Sequence, residues 1–370
     1  MVTYPSDWNA TTLGALGEVK MCKRIFQSQT RPSGQIPFYK IGTFGGTPDA
    51  YISRELFESY KNLYSFPQKG DVMISAAGTI GRTVVYDGKD AYFQDSNIVW
   101  LDVNPNDIDR KFLMYFYQSY PWVNLEGTTI SRLYNGIIRK TPIHLPSMPE
   151  QEAIAEALEA FDNHIANLAE LIEKKKAIRD GALEDLVSGR TRLPGFSYAW
   201  KDAKIGNILK ILHGKNQHEV ESLNGHYPIM GTGGVIGKAT EYLCDWECVL
   251  IGRKGTIDQP YYMNTPFWTI DTLYYSRPVE NQCVKYQYYL FCTIDWYAHT
   301  ESSGRPSLTR KAIEGIDIKL PRYDEQKAIA TVLTAMDDEI TALENEREKM
   351  IQIREGAMDD LLTGRVRLPM

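Results

Sequence analysis

The sequence predicts an α+β protein written twice: two α/β segments, 1–145 and 196–320, each followed by a long helix, in 146–195 and 321–370. Three observations carry this reading. Residues 145–194 align without a gap to 320–369 at a constant offset of 175, with 25 identities in 50 positions. Both blocks space their apolar residues by alternating fours and threes, the pattern of a helix with a heptad seam. The two intervening segments share a weaker order of short β-type runs, Gly-rich turns and an aromatic stretch, so the pseudo-twofold repeat embraces the whole chain.

The first α/β segment opens at Trp8 with a short apolar run. Ile36-Pro37-Phe38-Tyr39-Lys40-Ile41-Gly42 reads as a strand ending in a turn, and Val72-Met73-Ile74-Ser75 as a strand running into Ala76-Ala77-Gly78-Thr79-Ile80-Gly81-Arg82. An aromatic-rich helical stretch, 112–117, follows. A Thr- and Ser-rich basic passage through Ser131 and Arg132 then leads to Ile143-His144-Leu145-Pro146. The second segment repeats the order: Trp200, Tyr227-Pro228-Ile229-Met230-Gly231, Val249 to Ile257, aromatics at 286–291, then Ser302 to Arg310 and Ile318-Lys319-Leu320-Pro321. The aromatic stretches mix with Leu, Met and Ile at helical spacing, which marks core packing rather than a base-stacking platform.

Each repeat block reads as one long helix. Ile154, Leu158, Phe161, Ile165, Leu168 and Ile172 form the seam of the first, and Ile329, Leu333, Met336, Ile340 and Leu343 that of the second. Ser147-Met148-Pro149-Glu150 offers a capping box with proline in the first turn, and Gly189 and Gly364 are natural left-handed C-caps. Roughly 40 residues at about 1.5 Å each make a rod on the order of 60 Å. The apolar phase slips after Ile172 and resumes at Ile178, Ala182 and Leu186; the copy resumes at Ile353, Ala357 and Leu361. With two matching stripes on one chain, each helix is expected to bury the other's seam.

A chain of 370 residues with 43% apolar and 24% charged residues is globular and long enough for several domains. No run approaches the roughly 18–20 apolar residues of a membrane span. The opening Met1-Val2-Thr3-Tyr4-Pro5 lacks a basic, apolar leader, and five cysteines are too few and too odd for a disulfide scaffold, so a cytoplasmic location is expected. The net charge of −6 is unevenly placed. Residues 1–145 hold 15 Lys and Arg against 13 Asp and Glu, and 196–320 hold 13 against 13. The helical blocks hold 6 against 10 and 7 against 11, so the acidity lies in them and either α/β segment is free to carry a basic surface.

This layout, with the Leu145-Pro146, Glu150-Gln151, Ala153-Ile154-Ala155 opening and the Gly189-Arg190-Thr191-Arg192-Leu193-Pro194 closing, resembles the specificity subunit of type I restriction–modification enzymes. The copies are Leu320-Pro321, Glu325-Gln326, Ala328-Ile329-Ala330 and Gly364-Arg365-Val366-Arg367-Leu368-Pro369. The resemblance implies two target-recognition domains, 1–145 and 196–320, with the helices of 146–195 and 321–370 paired as an antiparallel coiled coil. It implies a partner in double-stranded DNA with a bipartite site, read one half per domain. Two DNA methyltransferase (modification) subunits would dock on the helices, and motor–nuclease (restriction) subunits would complete the complex. This chain would be non-catalytic and hold no cofactor; S-adenosylmethionine, ATP and Mg would belong to the partners, and no membrane is involved. A stiff helical spacer suits the task, because half-sites on one face of a duplex recur every ~10 bp, or about 34–36 Å.

Gly loops carrying small polar and basic residues are the candidate DNA contacts, since both backbone approach and Arg/Lys reach are needed. In the first segment these are Lys40, Thr43, Ser75, Gly78, Thr79, Arg82, Ser131 and Arg132; in the second, Gly233, Arg253, Lys254, Thr256, Arg305, Ser307 and Arg310. Other chemistries fail on particular residues. Cys244 and Cys248 stand in a Cys-x3-Cys spacing with scattered histidines, outside the usual zinc patterns. The stretch Gly231 to Ala239 lacks both the first glycine and the Mg-binding Ser/Thr of a P-loop. There is no Pro-Pro and no Gly-x-Ser-x-Gly elbow. The alternative is a coiled-coil scaffold whose sheet domains bind protein or carbohydrate.

Overall fold

The computed structural model describes residues 3–122, 132–300 and 306–369. They fall into two compact units, Met1–Asn167 with Glu346–Met370, and Leu168–Asn345. Each long helix thus gives one end to each unit.

In chain order the first half holds β1 (Asn9–Thr12), α1 (Leu13–Leu16), β2 (Gly17–Lys20), β3 (Ile36–Tyr39), β4 (Tyr51–Ile52), α2 (Arg54–Leu63), β5 (Val72–Ser75), β6 (Thr83–Val85), β7 (Tyr92–Phe93) and β8 (Ile98–Val103). It closes with α3 (Arg110–Ser119), α4 (Asn135–Lys140), β9 (Pro142–Leu145) and the long α5 (Met148–Ser188). The second half holds β10 (Lys201–Lys204), α6 (Ile205–Ile208), β11 (Leu209–His213), β12 (Tyr227–Gly231), β13 (Gly234–Ala239), β14 (Cys248–Gly252), β15 (Tyr261–Met263), β16 (Trp268–Thr269) and β17 (Leu273–Pro278). α7 (Val284–Thr293), α8 (Arg310–Gly315), β18 (Asp317–Leu320) and the long α9 (Tyr323–Thr363) complete it.

The first unit is built on a four-stranded antiparallel sheet, β2-β8-β5-β6, beside a three-stranded sheet, β4-β3-β7, in which β3 and β7 run parallel. The second has β11-β17-β14-β15 and β13-β12-β16, with β12 and β16 parallel. A two-stranded ribbon, β1-β9 in one and β10-β18 in the other, joins the start of each domain to the strand before its long helix. The central strands β5 and β14 are apolar runs buried along their whole length, as strands covered on both faces must be.

The aromatic helices form the core. Asp109 caps α3 by accepting from the N–H of Phe112 at 2.8 Å, and Phe112, Leu113, Tyr115 and Tyr117 pack on Val72, Ile74, Val99 and Leu101. In the second unit Tyr286, Tyr289, Leu290 and Phe291 of α7 do the same with Val249 and Ile251. Each such side chain contributes about 1.5–3 kcal/mol of apolar burial. A second cluster in the first unit fills the space between its sheets with Phe38, Phe57, Met73, Tyr92 and Trp100.

The seams divide in use. Ile154 and Leu158 join the first unit's core together with Leu361 and Leu362, and Ile329 and Leu333 join the second's with Leu183, Leu186 and Val187. Leu168, Ile172 and Ile340 are buried, while Phe161, Ile165, Met336 and Leu343 are half-buried. The start of each seam therefore packs on its own domain as well as on the far end of the other helix. Of the residues expected where the apolar phase resumes, Ile178 and Ile353 are 59% and 42% exposed, Ala182 and Ala357 are half-buried, and Leu186 and Leu361 are buried. The capping box at Ser147 is also corrected, since both oxygens of Glu150 accept from Arg367. Gly189 and Gly364 do end their helices in the left-handed region, at φ 75° and 69°.

Candidate nucleic-acid interface

At the end of β5 the chain turns over residues 75–82. Ser75 Oγ accepts from the N–H of Arg82 at 2.9 Å and donates to the carbonyl of Thr79, which closes the loop from inside. Gly78 supplies a left-handed φ of 64° at the tip, where a side chain would be strained. Three other segments meet this loop. The N–H of Ala76 donates to Asn97 O at 2.7 Å, the N–H of Leu133 to Ala76 O at 2.7 Å, and Arg82 Nη1 to Phe44 O at 3.0 Å.

Phe44 brings the 40–44 turn into the same place. Thr43 Oγ1 accepts from the N–H of Lys40 at 3.1 Å, and the N–H of Ile41 donates to Gln94 Oε1 at 2.8 Å. Lys40 pairs with Asp49 at 2.8 Å with both side chains in solvent. Arg132 bridges Ala77 and donates from Nη2 to Ser96 O at 3.0 Å. The fold thus gathers Lys40, Thr43, Gly78, Thr79, Arg82 and Arg132 from three separate stretches. Ser75 is a correction: at 2% exposure its hydroxyl is turned into the loop, which it shapes from inside. Ser131 lies outside the described residues.

The second unit repeats the crossing. The N–H of Arg253 donates to Thr272 O at 2.8 Å, the N–H of Leu308 to Arg253 O at 2.9 Å, and Lys254 bridges Ser307. Gly252 sits where a Cβ would lie 2.0 Å from Thr256 O, so the loop closes against its own backbone only because that residue has no side chain. Arg253, Lys254, Thr256 and Ser307 are together, and Gly233 is exposed at the β12–β13 turn, where Thr232 O accepts from the Tyr261 hydroxyl at 3.1 Å. Arg310 opens α8 and pairs with Glu314 at 3.0 Å while keeping 48% of its side chain exposed; the Glu314 carboxylate also receives the N–H of Ile211. Arg305 lies outside the described residues.

Sequence reasoning missed a third component of both crossings, the turn between the short parallel strand and the strand after it, residues 94–97 and 270–272. Asp95-Ser96-Asn97 and Asp271-Thr272 are turn-forming residues placed just before a buried strand, and that placement in both halves was the available signal. Asp95 pairs with Arg24 at 2.9 Å, and Asp271 is exposed. Exposed ammonium and guanidinium groups beside tight Gly loops can approach phosphate oxygens and the O6/N7 edge of guanine.

Other chemistries find no frame among the described residues. Cys244 and Cys248 are buried with their sulfurs 3.8 Å apart, and no group of three or more His, Cys, Asp or Glu stands close enough to hold a metal ion. The Gly231 to Ala239 stretch is a hairpin, with no helix to present a phosphate-binding end. No described helix is long and apolar enough to cross a membrane.

The family model for the type I restriction modification DNA specificity domain matches residues 5–176 and again 198–352. This chain belongs to that family. A Haemophilus influenzae protein named as a type I restriction enzyme specificity subunit is 53% identical over 158 residues, 43% of this chain and 41% of that relative. A relative in Methanocaldococcus jannaschii, named as the MjaX specificity subunit, is 25% identical over 98% of this chain and 95% of its own length. The crystal structure of the type I S subunit from M. genitalium superposes with a TM-score of 0.63 at 20% identity, covering 100% of this chain and 98% of that one. That likeness shows the fold. The two matches to the specificity-domain model each take in one crossing and most of one long helix.

Proposed function

We propose that this specificity-domain chain is the DNA-reading subunit of a type I restriction–modification complex. The first recognition domain, 1–145, reads one half of a bipartite site and the second, 196–320, reads the other. α5 and α9 set the spacer by their length and dock two methyltransferase subunits. Motor–nuclease subunits complete the assembly, and S-adenosylmethionine, ATP and Mg act in those partners, in the cytoplasm. This chain selects the site and leaves methyl transfer and cleavage to them.

The observation that carries the reading is the paired crossing. One backbone frame recurs in both domains, with Ala76-Ala77-Gly78-Thr79 in the first and Arg253-Lys254-Gly255-Thr256 in the second. Two readers of different half-sites need a shared way of presenting loops and different side chains on them.

Two experiments test it. The logarithm of the DNA binding constant of the chain with its methyltransferase partner should fall linearly with log salt, as phosphate contacts require. Exchanging 1–145 for another member's first recognition domain should change one half of the methylated motif. Binding that ignores salt, or a swap that alters both halves, defeats the reading; the former leaves a scaffold whose domains bind protein or carbohydrate.

A further inference from the structure

The main-chain bonds fix which residues of the two crossings correspond. Ala76 donates to Asn97 and accepts from Leu133; Arg253 donates to Thr272 and accepts from Leu308. Ala76 is therefore the counterpart of Arg253, Arg132 of Ser307, and Ser96 of Asp271. In the first unit Arg132 holds Ser96 O at 3.0 Å, and in the second Arg253 holds Asp271 O at 3.3 Å. The same carbonyl is gripped in both, by an arginine that comes from a different segment of the crossing in each. The position Arg253 occupies is filled in the first unit by the fully buried Ala76, so there the arginine stands on the facing segment.

The gripped turn is under constraint. Ser96 has φ 55°, a left-handed conformation that a non-glycine residue adopts at a cost, and the arginine on its carbonyl helps hold it there. The turns also differ where the frame does not: Asp95-Ser96-Asn97 against the shorter Asp271-Thr272.

We propose that Arg132 and Arg253 are positioning residues, and that the turns they hold, 95–97 and 271–272, determine specificity in their respective half-sites. This rests on the DNA-reading assignment above. Carboxylate, amide and hydroxyl groups on these turns match acceptors and donors on base edges, an exposed Asp271 suiting the amino group of cytosine. Hydrogen bonds to bases weaken steeply with distance and angle, so a turn left free to move discriminates poorly.

The test uses the full chain with its methyltransferase partner and DNA selected from a random duplex pool, each half-site scored separately. Arg253→Ala is expected to lower discrimination in the second half-site on the order of tenfold, the size of one base contact, and to leave the first half unchanged. The double variant Arg253→Ala/Ser307→Arg rebuilds the first unit's arrangement and is expected to restore it. The salt dependence of affinity should be the same in all three proteins, since a positioning arginine neutralises no phosphate. Arg132→Ala gives the same readout in the first half-site, and thermal melting of each variant reports its folding.

Failure of the wild-type chain to select any split motif defeats DNA reading itself. A wild-type motif that Arg253→Ala and Arg132→Ala leave unchanged defeats the positioning role alone. A loss that Ser307→Arg does not restore in a folded variant, or a salt slope reduced by about one, means that Arg253 touches the DNA directly, which also overturns it.

Discussion

The guanidinium of Arg354 reaches Asp162 at 2.9 Å, across 192 positions of sequence. Moved by the repeat offset of 175, the same pair is Asp337 and Arg179, and these form an ion pair at 3.1 Å. In the first unit the aspartate comes from α5 and the arginine from α9; in the second the roles are exchanged. A tyrosine of each domain's aromatic helix joins the pair, Tyr115 donating to Asp162 at 2.8 Å and Tyr289 to Asp337 at 2.7 Å. Each domain is thereby tied to one end of each long helix.

Asp162→Asn removes the charge from the first of these junctions. Asp162 is 40% exposed, so solvent screening brings the expected loss down to about 1 kcal/mol, below the usual range for hydrogen bonds to charged groups. Hydrogen exchange should quicken in α3 and in 346–363 while 168–345 keeps its protection. A uniform change in both units would contradict the division.

Arg192→Ala should do more damage. Glu325 is 2% exposed and accepts from Arg192 Nε at 2.5 Å, Arg192 Nη2 at 2.8 Å and Trp200 Nε1 at 3.0 Å. Stripping one partner from a buried carboxylate costs on the order of 3 kcal/mol. Urea unfolding should show it, and Glu325→Gln in the same chain should recover part of the loss by removing the stranded charge.

Ser75→Ala and Thr79→Ala should separate shaping from contact in one loop. Ser75 bonds inward to Thr79 and Arg82, so its loss is expected to cost about 1–2 kcal/mol of stability. Thr79 has an exposed side chain; its substitution should leave melting unchanged and weaken DNA binding.

Cys22 gives a pH signature. Burial at 2% exposure pushes its thiol from an ordinary value near 9 up to about 12. The folded chain keeps a proton that the unfolded chain loses, so this stabilisation is full below about 9 and lost as pH rises through about 12. Stability measured from pH 9 upward should fall less steeply in Cys22→Ala than in the parent. Alkylation at pH 8 should spare Cys22 until the chain unfolds.

Gly181→Ala and Gly356→Ala should each stabilise the chain. Both glycines lie inside long helices, and nothing stands within 4 Å of a Cβ added at either. Alanine should add about 0.5–1 kcal/mol at each position, read as a higher melting temperature.

Much of the architecture is legible without coordinates. Ile154, Leu158 and their copies Ile329 and Leu333 reveal helices because spacing along a helix is a local property. Gly189 and Gly364 mark the helix ends for the same reason. The loops at Gly78 and Gly255 are legible as turns, and their recurrence at matching places singles them out. Ser75 was misplaced because spacing does not say whether a side chain turns inward; its hydroxyl closes the loop on Thr79 and Arg82 and is buried by the fold. The turns at 95–97 and 271–272 were missed because they carry no basic charge, the feature by which candidate contacts are chosen from a sequence.

The chain by itself determined the twofold plan, the two helices and the order of the sheet elements, since repetition and periodicity are written residue by residue. The tertiary structure alone decided which loops meet. It set Glu150 on Arg367, turned Ile178 and Ile353 to the surface, and placed an arginine on the same turn from different segments. Those outcomes depend on contacts between residues tens to hundreds of positions apart, and packing, not local spacing, selects among them.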